Sequence, residues 1–301
     1  MKLGVWKYIF TGLILAAIAV GLGISQSSDQ KLHIIACDVG QGDATLITFE
    51  STQILIDGGP DLKILDCLGK YIPYWDRTIE AVILTHPQLD HYGGLIEVVG
   101  RYEVENLIAN SLDSDADAYG QLKKEIMEKG IKVTNPNQDT LVRYGALYLD
   151  IVHPSREFIA QNSTFLESTS SDRVLGSYTT RADPNVFSIV AILSFGDFDG
   201  LFTGDITPEA IEEIIKSGQL KDVDFIKIPH HGSKNGLTSS LLEVTSPEIS
   251  VISAGRNNRY GHPHQETLGL LRERNIQILR TDEVGDIEIV TDGKEIIVRG
   301  N

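Results

Sequence analysis

The sequence predicts a mixed α/β (α+β) domain in which two β-sheets pack together with helices outside, preceded by a short amino-terminal apolar segment. Three observations predict it. Short β-branched or alternating runs recur in two halves of the chain, amphipathic helical stretches lie between them, and His and Asp residues stand where strands stop.

In order along the chain, residues 32–38, 44–49 and 53–56 read as successive strands parted by Gly40, Gly42 and Ser51-Thr52, and Gly58-Gly59-Pro60 ends the set. A helix is expected near 62–71. The strand 80–84 comes next, its run Ala81-Val82-Ile83-Leu84 continuously apolar and so buried on both faces. Residues 117–129 place Leu122, Ile126 and Met127 on one helical face. Strands are expected at 131–134 and 146–152, and the Ser/Thr-rich segment 155–184 as one long loop, either a lid or a surface insertion. Strands 186–195 and 198–203, a helix 208–216 and a strand 223–228 come after it. A helix near 238–244, a strand 249–253, a helix 265–274 and strands 276–280 and 286–298 close the chain. Two β-rich halves with their own helices suit two packed sheets.

The 301 residues, 42% hydrophobic, suffice for a large core. The division expected is 1–30, a signal peptide or membrane anchor with a short linker, and 31–301, the folded domain. Ile9 to Ile24 is a run of sixteen without charge, preceded by Lys2 and Lys7 and followed by the polar stretch Ser25 to Gln30. That is just short of the ~20 residues that span a bilayer, and fits a signal-peptide core or a short anchor. Small residues at Gly23 and Ser25 would permit cleavage. The lysines place the residues after Ser25 outside the cytoplasm, secreted or anchored to the membrane. Net charge is −16, so bulk electrostatics repel polyanions and an anionic substrate needs a local site. Cys37 and Cys67 form neither a disulfide framework nor a CxxC pattern. Two buried free thiols are the favoured expectation, one bridge the alternative.

His86, Asp90 and His91 fall within six residues at the end of a buried strand. Apolar burial would leave several polar groups unpaired, and a divalent metal resolves that cost. Gly93-Gly94 is expected to turn the backbone sharply beside the ion. Further ligand types stand at strand ends: Asp57 in Ile56-Asp57-Gly58-Gly59, Asp205 in Thr203-Gly204-Asp205, and His231 in Pro229-His230-His231-Gly232. Singly, each could cap a turn or sit on a solvated loop; together they point to one crevice.

In their order, IDGG, THPQLDHYGG, FTGD and PHHGS resemble the motifs of the metallo-β-lactamase superfamily. That resemblance implies an αββα sandwich with one or two metal ions between the sheets. Within it, Asp38-Val39-Gly40-Gln41-Gly42-Asp43-Ala44, Pro229 to Ser233 and Asn258-Arg259-Tyr260-Gly261-His262-Pro263 are similar to the carboxy-terminal hydrolase domain of the competence protein ComEC. The resemblance covers roughly residues 32–292. It implies a first metal position at His86, Gln88, Asn185 and Asp205, and a second at Asp90, His91, Asp205 and His231, with His230 as fallback for His231. Gln88 and Asn185 stand where many members have His. Neutral oxygens bind Zn²⁺ less well than imidazole and suit Mg²⁺ or Mn²⁺, so one firm ion and one loose ion are expected, Zn or Mn, with no organic cofactor. A hydroxide held by the metal would be the nucleophile, since coordination lowers the pKa of water to about 7. Asp90 and His262 are the catalytic candidates, Asp57 and Asp43 supports of the site.

Between 226 and 280, seven Lys or Arg face four Glu. Such a local positive region suits a phosphate ester, with Ser233, Lys234, Arg259 and His262 as candidate substrate contacts. The expected function is a phosphodiesterase or nuclease, its partner a phosphodiester such as single-stranded DNA. Hydrolysis of a small ester, lactone or lactam is the alternative, and a binding protein with an impaired site the third reading. One short apolar segment makes no transmembrane bundle through which DNA could pass, so a DNA-uptake role would need a separate channel protein.

Overall fold

A computed structural model describes residues 3–25, 29–166 and 175–300. Part of the polar stretch after Ser25 and residues 167–174 of the expected loop lie outside the described residues. Two large sheets dominate. The first has eight strands in the spatial order Ile296–Gly300, Ile287–Thr291, Leu32–Ala36, Thr45–Phe49, Thr52–Ile56, Ala81–Leu84, Asn106–Ala109 and Lys132–Thr134. The second has seven, in the order Gln277–Arg280, Ile249–Ile252, Phe225–Lys227, Phe198–Phe202, Val190–Phe195, Leu147–His153 and Thr140–Tyr144.

The period-2 alternation of side chains divides each strand between two cores. Leu32, Ile34, Ala81 and Ile83 meet Leu149, Ile151, Leu193 and Val251 between the sheets. On the far side of the first sheet, Ile35, Leu46, Val82 and Leu84 pack against helices Lys63–Tyr71, Leu95–Arg101 and Asp117–Glu128. On the far side of the second, Ile192, Leu201 and Ile226 pack against helices Pro208–Ser217, Ser239–Thr245 and Gln265–Glu273. This is the αββα sandwich, and Ala81–Leu84 is buried throughout, as a strand covered on both faces must be. In each sheet the strands from Thr52 to Thr134 and from Phe198 to Arg280 that run parallel end at the same edge, which collects their loops into one crevice.

Several expectations are corrected. Residues 155–184 are not one loop: Ser155 caps a helix, Arg156–Asn162, by accepting from the Phe158 N–H, and Thr164–Phe165 pairs with Tyr178–Thr179. That helix buries no side chain fully, so no clear periodicity betrays it. Pro184–Phe187 is a 3-10 turn, not strand, because Pro184 supplies no N–H and Asp183 accepts from the Asn185 N–H. The stretch 286–298 is a hairpin broken at Asp292-Gly293. Helix Leu95–Arg101 and strands Asn106–Ala109 and Thr140–Tyr144 add to the elements expected.

Leu3–Ser25 is helical, and its described side chains, Trp6 to Ala17, are exposed. Among the described residues no helix is long and apolar enough to cross a membrane.

Cys37 and Cys67 are not free thiols. They form a disulfide across a separation of 30 residues, between the end of the first strand and helix Lys63–Tyr71. The sandwich brings their Cα atoms to 5.8 Å, a proximity that no local pattern encodes. The bond fixes the root of the loop 38–43, which carries Gln41 and Asp43. Closing a loop of this size stabilises by about 3–4 kcal/mol in the chain-entropy account. The double substitution C37A/C67A is therefore expected to lower the midpoint of urea unfolding, and added reductant to lower it in the parent but not in the variant.

Candidate metal centre

Four side chains converge at the common edge of the sheets. The ligand atoms of Asp90, His91, Asp205 and His231 all lie within 4.8 Å of one another. His91 Nε2 is 3.3 Å from Asp205 Oδ2, and His231 Nε2 is 3.3 Å from Asp90 Oδ2 and 3.5 Å from Asp205 Oδ2. His91, His231 and Asp205 are buried. His91 Nε2, His231 Nε2, His86 Nε2 and Asp205 Oδ1 nevertheless have no hydrogen-bond partner among the described residues. Orphaned imidazole and carboxylate atoms gathered around one point are what a divalent cation would satisfy. The donor set of imidazole and carboxylate fits Zn²⁺ or Mn²⁺.

Each ligand is aimed by a partner. Asp57 accepts from the Thr85 N–H (2.9 Å), from Thr85 Oγ1 (2.8 Å) and from His91 Nδ1 (2.7 Å). With Nδ1 committed to Asp57, His91 turns Nε2 to the cluster, the nitrogen that would lose its proton to ligate an ion. Thr85 Oγ1, having donated to Asp57, accepts from His86 Nδ1 at 3.1 Å, which leaves His86 Nε2 bare as well. His231 Nδ1 donates to the Ser253 carbonyl (3.1 Å) and lies 3.4 Å from Asp43 Oδ1. Asp43 in turn pairs with the buried Lys227 ammonium at 2.6 Å. Thus Asp57 and Asp43, the expected supports, hold one metal-facing histidine each.

Electrostatics obey the same geometry. Burial opposes charge on His91, yet the Asp205 and Asp57 carboxylates raise its pKa well above the ordinary imidazole value. His231 is pushed up to about 10, against burial, by Asp205 and Asp43. Burial works against the Asp205 carboxylate too, but His231 and His91 hold its pKa well below the usual range. Carboxylates that draw protons onto buried imidazoles would draw a divalent cation in their place. His86 is different: burial, with His91 beside it, depresses its pKa to about 3, so it is neutral and ready to ligate.

Gln88 and Asn185 are brought together, but onto each other: Gln88 Nε2 donates to Asn185 Oδ1 at 2.7 Å. His86 stands outside the cluster of four. Of the adjacent histidines, His231 belongs to the cluster, whereas His230 Nε2 lies 4.0 Å from Asp205 Oδ2 and its side chain is partly exposed. Both adopt left-handed backbone, with φ of 52° and 53°, a strain that persists only where surrounding structure enforces it.

A cavity of about 640 Å³ opens over the cluster, lined by Gln41, Pro60, Gln88, Leu89, Asp90, Asp205, His230, His231, Asn258, Arg259, Tyr260 and His262. Burial, with His231, His264 and His230 nearby, lowers the His262 pKa to about 4, so it is a neutral imidazole. Gln41 Oε1 accepts from the Gly255 N–H (3.1 Å), which turns Gln41 Nε2 toward His262 Nδ1 at 3.4 Å. That leaves the His262 N–H on Nε2. Ser233 and Lys234 do not line the cavity; Ser233 Oγ accepts from the Asn235 N–H.

The expected positive region is smaller than its charge count. Lys227 is neutralised by Asp43, Arg274 pairs with Glu243, and Arg280 pairs with Asp282 and Glu283. Arg259 is the basic residue at the cavity. Sequence reasoning gave no supporting role to Thr85, Lys227, Gln41 or Ser188, whose Oγ accepts from the Asp205 N–H (3.2 Å) and lies 3.3 Å from His86 Nδ1. One signal was available: a lysine inside the apolar run Phe225-Ile226-Lys227-Ile228 must find a buried partner.

Glycines let the loops close. Gly93 and Gly94 do not make the expected sharp turn. Gly93 is helical, with φ −54° and ψ −46°, and serves close approach: a Cβ on it would sit 2.2 Å from the Pro60 carbonyl oxygen, and one on Gly94 2.1 Å from that of Gly58. G93A is therefore expected to force the metal loop from the Asp57 loop, lowering both stability, by over about 2 kcal/mol, and bound metal. G269A, in a helix with nothing within 4 Å, should instead stabilise by about 0.5–1 kcal/mol. Urea melts with metal analysis check the pair.

Residues 37–256 match the family model described as the Metallo-beta-lactamase superfamily. The chain is 25% identical over 280 residues to ComE operon protein 3 of Bacillus subtilis, covering 87% of this chain and 33% of that protein. It is 28% identical over 282 residues to Recombination protein 2 of Haemophilus influenzae, covering 92% of this chain and 31% of that one. Competence protein ComA of Neisseria gonorrhoeae is 24% identical over 265 residues, 86% of this chain and 32% of its own length. The chain thus spans about a third of the length of these relatives. The metallo-beta-lactamase fold protein YhfI from Bacillus subtilis superposes with a TM-score of 0.53 at 12% identity, over 87% of this chain and 100% of that one. CmlA, a diiron beta-hydroxylase from Streptomyces venezuelae, does so at 0.52 and 11%, over 88% and 54%. Both likenesses show the fold alone. With the αββα architecture and the buried His and Asp cluster at its edge, the match over residues 37–256 places this chain in the metallo-beta-lactamase superfamily.

Proposed function

We propose that this protein is a metal-dependent phosphodiesterase acting on nucleic acid outside the cytoplasmic membrane. The observation that carries the reading is the orphaned His and Asp cluster at the floor of an open cavity whose rim bears Arg259 and the neutral His262. Asp90, His91, Asp205 and His231 would hold one ion firmly. His86 and Asp205, with neutral oxygens of Gln88 and Asn185, would hold a second more loosely, once those amides part. A divalent ion there would act as Lewis acid and lower the pKa of a water to near neutrality.

The chain's own residues supply the rest. Asp90 lines the cavity with its side chain about a third exposed (32%), and orients the attacking water. His262 offers Nε2–H to a phosphoryl oxygen without carrying charge, and Arg259 faces the second non-bridging oxygen. Among relatives named for competence and recombination, nucleic acid is the natural phosphodiester. Location outside the membrane is supported by the lysines ahead of the apolar run and by the Cys37–Cys67 bond, since disulfides persist in oxidising compartments.

The full chain, supplied with Mn²⁺ or Zn²⁺, is expected to turn over bis(p-nitrophenyl) phosphate and single-stranded DNA. H91A should lower turnover by at least about 100-fold, and D57N by about 10- to 100-fold through misorientation of His91. Metal content measured alongside should fall in both. Hydrolysis of p-nitrophenyl acetate without any diester turnover would favour the small-ester reading instead. Failure to bind or use any divalent ion would end both.

A further inference from the structure

Tyr260 is half exposed (50%) on the cavity rim. It lies nearly parallel to His262, with centroids 5.6 Å apart and planes 23° apart. His262 is itself nearly parallel to the metal-facing His231, at 6.2 Å and 29°. The rings therefore step outward from the cluster to the rim in one orientation. Arg259 extends the outermost step: its Nη2 donates to Tyr260 Oη at 2.8 Å, and its guanidinium carbon is 4.9 Å from the ring centroid. The loop is pre-set. Asn258 Oδ1 accepts from the N–H groups of Tyr260 and His262 (3.1 and 3.0 Å), and Asn258 Nδ2 donates to the carbonyls of Gly255 and His262.

A polyanion approaching a chain of net charge −16 gains little from long-range electrostatics. Of the seven basic residues between 226 and 280, Lys227, Arg274 and Arg280 are paired with carboxylates, and Lys234, an expected contact, lies off the cavity. Affinity must come from contacts that do not depend on net charge, and base–aromatic stacking is one. We propose that Tyr260, extended by Arg259, is a stacking platform for the nucleobase next to the scissile phosphodiester, and that it makes single strands the preferred polymer. Bases in a duplex already stack on each other and cannot reach the ring. This inference rests on the phosphodiesterase reading and assigns its substrate class.

The test is binding, measured by fluorescence anisotropy of the full chain with Mn²⁺. The probes are hydrolysis-resistant phosphorothioate strands of about twelve nucleotides, one bearing bases and one abasic, at equal length and charge. The wild-type chain should prefer the base-bearing strand by about 5- to 150-fold, and bind its duplex more weakly. Y260A should lose that preference and Y260W retain it. Since Tyr260 is half exposed, both variants should melt with the wild type. Equal affinity for the two strands, no binding of either, or a preference that survives Y260A would overturn the platform. Turnover of bis(p-nitrophenyl) phosphate reports separately on the phosphodiesterase reading, so a chain that hydrolyses the small diester yet ignores the bases loses only the platform.

Discussion

Asp57 is buried, sits in left-handed backbone at φ 59° and accepts three hydrogen bonds, from the Thr85 N–H, the Thr85 hydroxyl and His91. Burial pushes its carboxyl pKa up in spite of His91 alongside, so an unpaired Asp here would be costly. Those three bonds are what make the desolvation tolerable, and they fix the tautomers of two histidines at once. His91 presents Nε2 because Nδ1 is committed to Asp57. His86 presents Nε2 because its Nδ1 is committed to Thr85, whose own proton is committed to Asp57. One carboxylate behind the strand end thus decides which nitrogen faces the cluster on both members of the His86–His91 loop.

The second sheet solves the same problem with different parts. His231 has no threonine relay; a backbone carbonyl, that of Ser253, takes its Nδ1 proton, and Asp43 from the first sheet stands beside it. Asp43 can stay ionised in the interior because Lys227 is 2.6 Å away. A buried ion pair of this sort contributes little to net stability, but removing one partner is strongly destabilising. Its value here is registry: Lys227 ends a strand of one sheet, Asp43 lies in a loop of the other, and their pairing locks the two halves of the metal cluster to each other. The consecutive left-handed residues His230 and His231 are held against that frame, with Gly232 seated beneath Pro263.

Locality decides which features could be read from the sequence. Strands such as Leu32–Ala36 and Thr52–Ile56 are legible as short, mostly apolar runs because one face of their sheet meets helices and the other meets a sheet, and both the strand Ala81–Leu84 and the ligands after it are legible from adjacent residues. Thr140–Tyr144 is not legible, since it is an edge strand whose residues are all partly or fully exposed. Nor is the hairpin at Asp292-Gly293, which interrupts one continuous run of strand-forming residues. The Cys37–Cys67 bond and the Asp43–Lys227 pair join positions 30 and 184 residues apart, so only the assembled sandwich reveals them. The same holds for basic charge. Counted along the chain, Lys227, Arg274 and Arg280 suggest a positive surface; placed in space, carboxylates already occupy them.

That loss of free charge bears on how the site distinguishes its substrate. A cavity that attracted phosphate chiefly through lysines would bind any polyanion, with a steep dependence on salt. On the phosphodiesterase reading, a cation at the floor, the neutral His262 and a single rim guanidinium would leave few phosphates to be neutralised, and discrimination would pass to shape and to the half-exposed ring of Tyr260. The neutral pair Gln88 and Asn185 works in the same direction. Joined to each other at 2.7 Å, they add no charge beside the cluster and must separate before their oxygens can serve a second ion. On the same reading, a substrate phosphate that brought such an ion with it would supply the incentive, and the half of the site built from His86 and Gln88 would be the half that responds to what is bound.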